Sequence, residues 1–187
     1  MNVQLQDQVA LVTGAAGAIG QAICASLAAN GAKVVYADIN FECARRLAAT
    51  TPGAMPLRMD VTDEKEVELA MSQIIDAHGR LDILVNNAGI NTMAHRVTID
   101  SFPAEEWDRI LRVDLTGLFL VSKAASRQML RRRSGRIINI SSVMGLVPAR
   151  LQCAYTAAKA GVVNLTRTMA IELGSQGILT NLSLIHI

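Results

Sequence analysis

Short apolar runs alternate with helical stretches along almost the whole of this chain, and that alternation limits the fold more than any other feature. The runs are Val9–Thr13, Lys33–Ala37 ending at Asp38, Met55–Met59 ending at Asp60, Ile83–Val85, Arg136–Ile140 and a sixth beginning near Ile178. Ile19–Ala29 reads as a helix, apolar at Ile19, Ala22, Ile23 and Leu27 and stopped by Asn30-Gly31. Phe41–Ala49 is a shorter helix, and a third starts at Thr62 as its N-cap and runs to His78-Gly79. Two long helices follow, roughly Ala104–Arg131, with room for a kink, and Gln152–Leu173. Strands that alternate with helices of this length predict an α/β fold, a doubly wound parallel sheet covered on both faces. Such a sheet binds ligands at the carboxyl ends of its strands, where the longest irregular stretch, Ile90–Phe102, leaves the fourth strand.

At 187 residues the chain suits one domain with a sizeable core. Half of it is hydrophobic but only 3% is aromatic, so that core is aliphatic. A net charge of +2 points to no polyanionic partner. The densest cationic run, Arg131-Arg132-Arg133 with Arg136, falls at a helix end, where cations oppose the dipole, and no aromatics interleave it as nucleic-acid binding would favour. Cys24, Cys43 and Cys153 have no recurring spacing, which fits reduced thiols and neither a disulfide framework nor a metal site. The N-terminus "MNVQLQDQVALV" lacks the basic start and apolar core of a targeting segment, and no run is long enough to span a membrane. A cytoplasmic location is expected.

The stretch "VTGAAGAIG", Val12–Gly20, takes the first strand through a glycine turn into the first helix. A pyrophosphate needs backbone N–H groups at close range and a helix N-terminus to offset its charge, and glycine permits that approach. Gly14 can make the turn and Gly20 can let the helix pack on the sheet, whereas Ala18 stands where a middle glycine is expected and Gly17 comes one residue early. Asp38, closing the second strand, is placed to bond the ribose hydroxyls of a dinucleotide.

From Leu5 to about Asn181 the chain resembles the short-chain dehydrogenase/reductase family. That family's Thr-Gly-x-x-x-Gly-x-Gly turn is matched by Thr13, Gly14 and Gly20, with Ala18 for one glycine. Its Asn-Asn-Ala-Gly strand end is matched by Asn86, Asn87, Ala88 and Gly89, its serine by Ser142, and its Tyr-x-x-x-Lys by Tyr155 and Lys159. The resemblance implies a Rossmann-like fold and a nicotinamide cofactor held by Thr13, Gly14, Gly17, Ala18, Ile19 and Gly20. It places Asp60 and Val61 against the adenine and Asn87, Ala88 and Gly89 along the path to the nicotinamide ribose. NAD is expected over NADP, because Asp38 would repel a ribose phosphate and the positions that usually carry a base hold Gly17 and Ile39-Asn40.

The same residues carry a chemistry. Tyrosine, with a pKa near 10, is a poor base at neutral pH unless a nearby cation favours the phenolate. Lys159 lies one helical turn from Tyr155 and supplies that cation, so Tyr155 reads as the general acid/base. In the family the lysine also bonds the nicotinamide ribose, and Ser142 would hold the substrate oxygen, with Ser141 behind it. Asp114, in "VDLTG", replaces a family asparagine that helps hold a proton-relaying water. Ionised aspartate accepts hydrogen bonds but cannot donate, so it is expected to stabilise Lys159, with a weaker relay or a shifted pH optimum. His95 and Cys153 read as a loop histidine and a packed thiol.

These residues imply an oxidoreductase that moves a hydride between NAD(H) and a secondary alcohol or ketone, with a sugar, polyol or sugar acid as the leading substrate class. A 3-oxoacyl-carrier-protein reductase is the runner-up, and a nucleotide-binding regulator without catalysis is the alternative of another class. Residues 1–181 are expected to form an incomplete Rossmann domain lacking the family's last strand and substrate lid. The terminal "LSLIHI", Leu182–Ile187, matches one reading frame of a transposon-end sequencing adapter and is expected to be non-native. The full-length protein is expected to be a homodimer or homotetramer.

Overall fold

The computed structural model describes residues 3–92 and 94–185. Six strands, β1 (Val9–Thr13), β2 (Lys33–Asp38), β3 (Met55–Arg58), β4 (Ile83–Asn86), β5 (Gly135–Ser142) and β6 (Ile178–Ile185), form one sheet in the order β3-β2-β1-β4-β5-β6. Every pairing is parallel. Six helices make the crossovers: α1 (Ala18–Ala29), α2 (Phe41–Ala48), α3 (Glu64–His78), α4 (Ala104–Leu111), α5 (Leu118–Arg132) and α6 (Cys153–Gly174). The expected doubly wound architecture is the observed one.

The strand period of two divides the apolar residues between the faces. Val9, Leu11, Val35 and Ala37 meet Val67, Met71 and Ile74 of α3 and Val121, Ala125 and Met129 of α5. Ala10, Val12, Val34 and Tyr36 point the other way, onto Cys24 of α1 and Ala44 and Ala48 of α2. Strand order reverses between β1 and β4, and the crevice between their carboxyl ends is the natural ligand site of such a sheet.

Two local features differ from the sequence reading. Asp63, and not Thr62, caps α3: its Oδ1 accepts the N–H groups of Lys65 at 2.8 Å and Glu66 at 3.3 Å. The Thr62 hydroxyl is already committed to Asp60 at 2.8 Å, so the helix starts one residue later. The helix expected over Ala104–Arg131 is broken into α4 and α5 by a π segment, Arg112–Gly117. Gly117 permits the break to press on β3's exit, since a Cβ there would lie 2.7 Å from Cγ2 of Val61.

Finally, β6 pairs in register with β5 as far as Ile185, so Leu182–Ile185 continue the strand that begins at Ile178. That pairing is made by backbone groups and accepts any β-forming side chains. His186 and Ile187 lie outside the described residues. Arg131 and Arg132 occupy the last turn of α5, as expected of helix-end cations.

The capping geometry predicts that Asp63→Ala lowers unfolding stability by about 1 kcal/mol in urea titrations. Thr62→Val, which leaves the cap in place, should cost less.

Candidate active site

The site starts where β1 ends. Gly14 turns the chain with φ +63°, and a Cβ there would approach Cα of Ala88 to 2.8 Å. A Cβ on Gly20 would strike the Gly14 carbonyl oxygen and lie 2.8 Å from Cα of Ala15, so both positions require glycine. Gly17, by contrast, faces the cleft: its nearest neighbour would be the Gly14 oxygen at 3.4 Å, an ordinary contact. Gly17 begins α1 with no capping side chain, and the first turn carries no acid. The turn therefore offers an uncapped helix N-terminus and glycine-lined space, which is what a diphosphate fits.

Two side chains lash this turn to the sheet. Asn87 Nδ2 donates to the carbonyls of Thr13 and Gly14, both at 3.0 Å. Thr13 is buried, and its Oγ1 accepts the N–H groups of Asn87 and Ala88 at 3.0 Å. Thr13 thus sits behind the cleft while Asn87 both borders and braces it. Asp38 accepts the Ala16 N–H at 2.9 Å on Oδ2 and the Asn40 N–H at 2.9 Å on Oδ1. Each oxygen keeps a lone pair for a further donor. Gly14, Gly17, Ala18, Ile19, Gly20, Asp38, Asp60, Val61, Ala88 and Gly89 all border one cleft, so the residues expected to hold a dinucleotide converge.

A second cleft adjoins it, bordered by Asn87, Gly89, Asp114, Ser142, Tyr155 and Lys159. Ser142 is the last residue of β5, and its Oγ accepts the Met144 N–H at 3.2 Å, which leaves the hydroxyl proton free to donate. Ser141 points elsewhere and donates to the Lys159 carbonyl at 3.0 Å. Tyr155 and Lys159 share one face of α6, with Nζ 5.5 Å from the ring centroid. Lys159 is buried, and its Nζ donates to the Ile140 carbonyl at 3.4 Å.

Asp114, in the π segment, is fully buried. Its Oδ1 accepts the Ile90 N–H at 2.7 Å, and its Oδ2 lies 2.9 Å from Lys159 Nζ. That second contact is an ion pair at poor hydrogen-bonding angle, because no donor is aligned on Oδ2. Burial pushes the carboxyl above the usual carboxylate range, opposed by Lys159, the Ile90 N–H and Arg109.

The sheet of a short-chain dehydrogenase would bring these clefts together in this way, and the sequence profile described as short chain dehydrogenase matches residues 8–184. This chain belongs to that family. It is 41% identical over 184 residues to a protein of Synechocystis sp. named 3-oxoacyl-[acyl-carrier-protein] reductase, covering 95% of this chain and 72% of the relative. It is 40% identical over 184 residues to cis-4-hydroxycyclohexanecarboxylate dehydrogenase of Sinomonas cyclohexanicum, covering 97% of this chain and 73% of that one. Among solved structures, an NAD+-bound xylitol dehydrogenase superposes with a TM-score of 0.91 at 32% identity, covering 96% of this chain and 70% of that chain. As a short-chain dehydrogenase, the protein is an oxidoreductase of alcohol or carbonyl groups that uses a nicotinamide cofactor.

Several residues of this dehydrogenase's clefts carried no signal in the sequence. Asn91 Nδ2 donates to Gln152 Oε1 at 2.7 Å, and Arg96 reaches the second cleft from the irregular stretch while its Nε donates to the Thr92 carbonyl at 3.0 Å. Arg109 borders the nucleotide cleft but is paired with Glu106 at 2.7 Å, and holds that carboxyl down to about 2. His95 lies 4.0 Å from Glu106, and neither it nor Cys153 borders the second cleft. Among the described residues no cluster of acids, histidines and cysteines could hold a metal, and no helix is long and apolar enough to cross a membrane.

The turn geometry separates two glycines. Gly20→Ala should lower thermal stability by about 1–3 kcal/mol, because backbone must yield, and should abolish NADH binding read by its fluorescence. Gly17→Ala should leave stability within about 1 kcal/mol and weaken NADH binding only partly.

Proposed function

We propose that this dehydrogenase uses NAD(H) to interconvert a secondary alcohol and its ketone, with Tyr155 as the group that moves the proton. The observation that carries the reading is the convergence of Ser142, Tyr155 and Lys159 on one cleft next to the glycine turn. When bound, the nicotinamide supplies the acceptor or donor of the hydride on the carbinol carbon. Oxidation then breaks the carbinol C–H and O–H bonds and forms C=O. Ser142, whose oxygen already accepts the Met144 N–H, directs its hydroxyl proton at the substrate oxygen and fixes it. Tyr155 takes the proton from that oxygen as its C–O bond becomes double, or returns it in the reverse direction. Lys159 holds positive charge beside the phenol ring and favours the phenolate.

Asp38 supports NAD over NADP. Its free lone pairs suit the two hydroxyls of an adenosine ribose, and its charge opposes a phosphate there. The nearest cation at that cleft, Arg109, is neutralised by Glu106, and Ile39 and Asn40 offer no charge of their own. The relatives' names span a carrier-protein thioester, a ring hydroxy acid and xylitol, which fits a polyol or hydroxy-acid substrate and keeps a 3-oxoacyl thioester as the second reading. A regulator without catalysis would have no use for the three side chains in one cleft. Assembly as a homodimer or homotetramer and a cytoplasmic location complete the proposal.

Asp38→Ala should narrow the preference for NADH over NADPH in binding titrations by about tenfold, the worth of a charged hydrogen bond. A chain that prefers NADPH from the start would sink the cofactor assignment. Tyr155→Phe should cut turnover by about 10²- to 10⁴-fold while NADH still binds. Turnover within a few-fold of the unaltered protein would remove Tyr155 from the mechanism.

A further inference from the structure

Lys159 does not face Tyr155 as a lone cation. Asp114 Oδ2 stands 2.9 Å from its Nζ, and Oδ1 is fixed by the Ile90 N–H at 2.7 Å. Gly89 leaves room for this pair, since a Cβ there would lie 3.1 Å from both Oδ2 and Nζ. Oδ1 accepts the Ile90 N–H and Oδ2 faces the Lys159 ammonium, both of them contacts that favour the ionised form. Burial works against ionisation, and the Lys159 charge, the Ile90 N–H and the Arg109 charge work for it.

The electrostatic consequence falls on the tyrosine. A single ammonium near a phenol stabilises the phenolate over several ångströms. An ammonium with a carboxylate at contact distance presents a dipole instead, and its field is weaker at the same range. The charged groups bordering this cleft are Arg96 from the irregular stretch, Asp114 from the π segment and Lys159 from α6. From α4, which packs on α6, Arg109 faces Asp114 but is bound to Glu106, with His95 4.0 Å from that carboxylate.

We propose that Asp114 is a positioning residue whose carboxylate fixes Lys159 and offsets its field at Tyr155, so that the phenol stays protonated to higher pH and the site favours carbonyl reduction near neutrality. The proposal rests on the reading of Tyr155 as the proton donor and acceptor. A protonated phenol is the form that can supply the proton which a carbonyl oxygen gains on reduction, and alcohol oxidation would need a more alkaline medium.

The chain has two tyrosines, Tyr36 and Tyr155, which makes a direct test feasible. Tyr36 is buried against the Thr51 hydroxyl, and burial pushes its ionisation up. Subtracting the phenolate absorbance of a Tyr155→Phe protein at each pH isolates Tyr155 without cofactor or turnover. Asp114→Asn keeps the shape and removes the charge, and the Tyr155 midpoint should move about one pH unit lower. An unchanged or higher midpoint in a folded Asp114→Asn protein would overturn the proposal. Should that variant fail to fold, carbon-13 labelling of aspartate carboxyls in the unaltered protein decides: Asp114 must be ionised at neutral pH, and a protonated carboxyl there refutes the idea. Loss of the midpoint shift with an inactive Tyr155→Phe leaves the catalytic reading standing, whereas an active Tyr155→Phe removes that reading itself.

Discussion

A parallel ladder cannot be closed by hairpins. Each strand must be followed by a crossover that returns the chain to the same end of the sheet, and every strand here therefore leaves the sheet on one edge. Gly14 after β1, Asp38 at the end of β2, Asp60 after β3, Asn87 after β4 and Ser142 at the end of β5 reach the site for that single reason. Residues separated by more than a hundred positions meet without any loop having to be long. The helices that make the crossovers add to the same edge the N-terminus of α1, the π segment before α5 and the first turn of α6.

The edge is held rigid from below by polar groups inside an otherwise aliphatic core. Asn86 in β4 donates to Ser122 of α5 at 2.8 Å and to Asn139 of β5 at 2.9 Å, and Asn139 donates to Thr166 of α6 at 2.9 Å. All four side chains are buried, so breaking one contact would strand a polar group away from water. This ladder crosses the sheet beneath the second cleft and ties α6, which carries Lys159, to α5, into which the π segment holding Asp114 leads. One position further along β4's exit, Asn87 and Thr13 perform the same service for the glycine turn.

The π segment ties fold to chemistry. Arg112–Gly117 forms a π turn rather than a regular helix, and Asp114 sits within it, buried and 2.9 Å from the ammonium. A buried ion pair adds little net stability, because removing two charges from water costs about as much as their attraction returns. Its contribution here is orientation: it fixes where Nζ sits relative to the phenol ring and the Ile140 carbonyl.

Much was legible in the sequence because it was local. Strand and helix periodicity, the glycine turn, the acid at the end of β2 and the Tyr-x-x-x-Lys spacing each depend on a few neighbouring residues and a fixed geometry, so the order of elements and the pairing of Tyr155 with Lys159 followed from the pattern, while Ser142 joined them through the family resemblance. Contacts across the sequence were not legible. Asp63 displaced Thr62 as the cap of α3 because Asp60 claimed the Thr62 hydroxyl. Thr13 and Asn87 proved to brace the turn, Arg96 and Asn91 reached the second cleft from a stretch with no periodic signal, and Gln152 reached it from the start of α6. The sequence alone determined which chemical groups this protein can bring to an alcohol or a ketone, since those are fixed by residue type and local spacing. The resemblance already set Asp114 beside Lys159; only the tertiary structure decided the geometry, a π turn that buries the carboxylate 2.9 Å from an ammonium forty-five residues away with its other oxygen on the Ile90 N–H, because that depends on packing that no local pattern encodes.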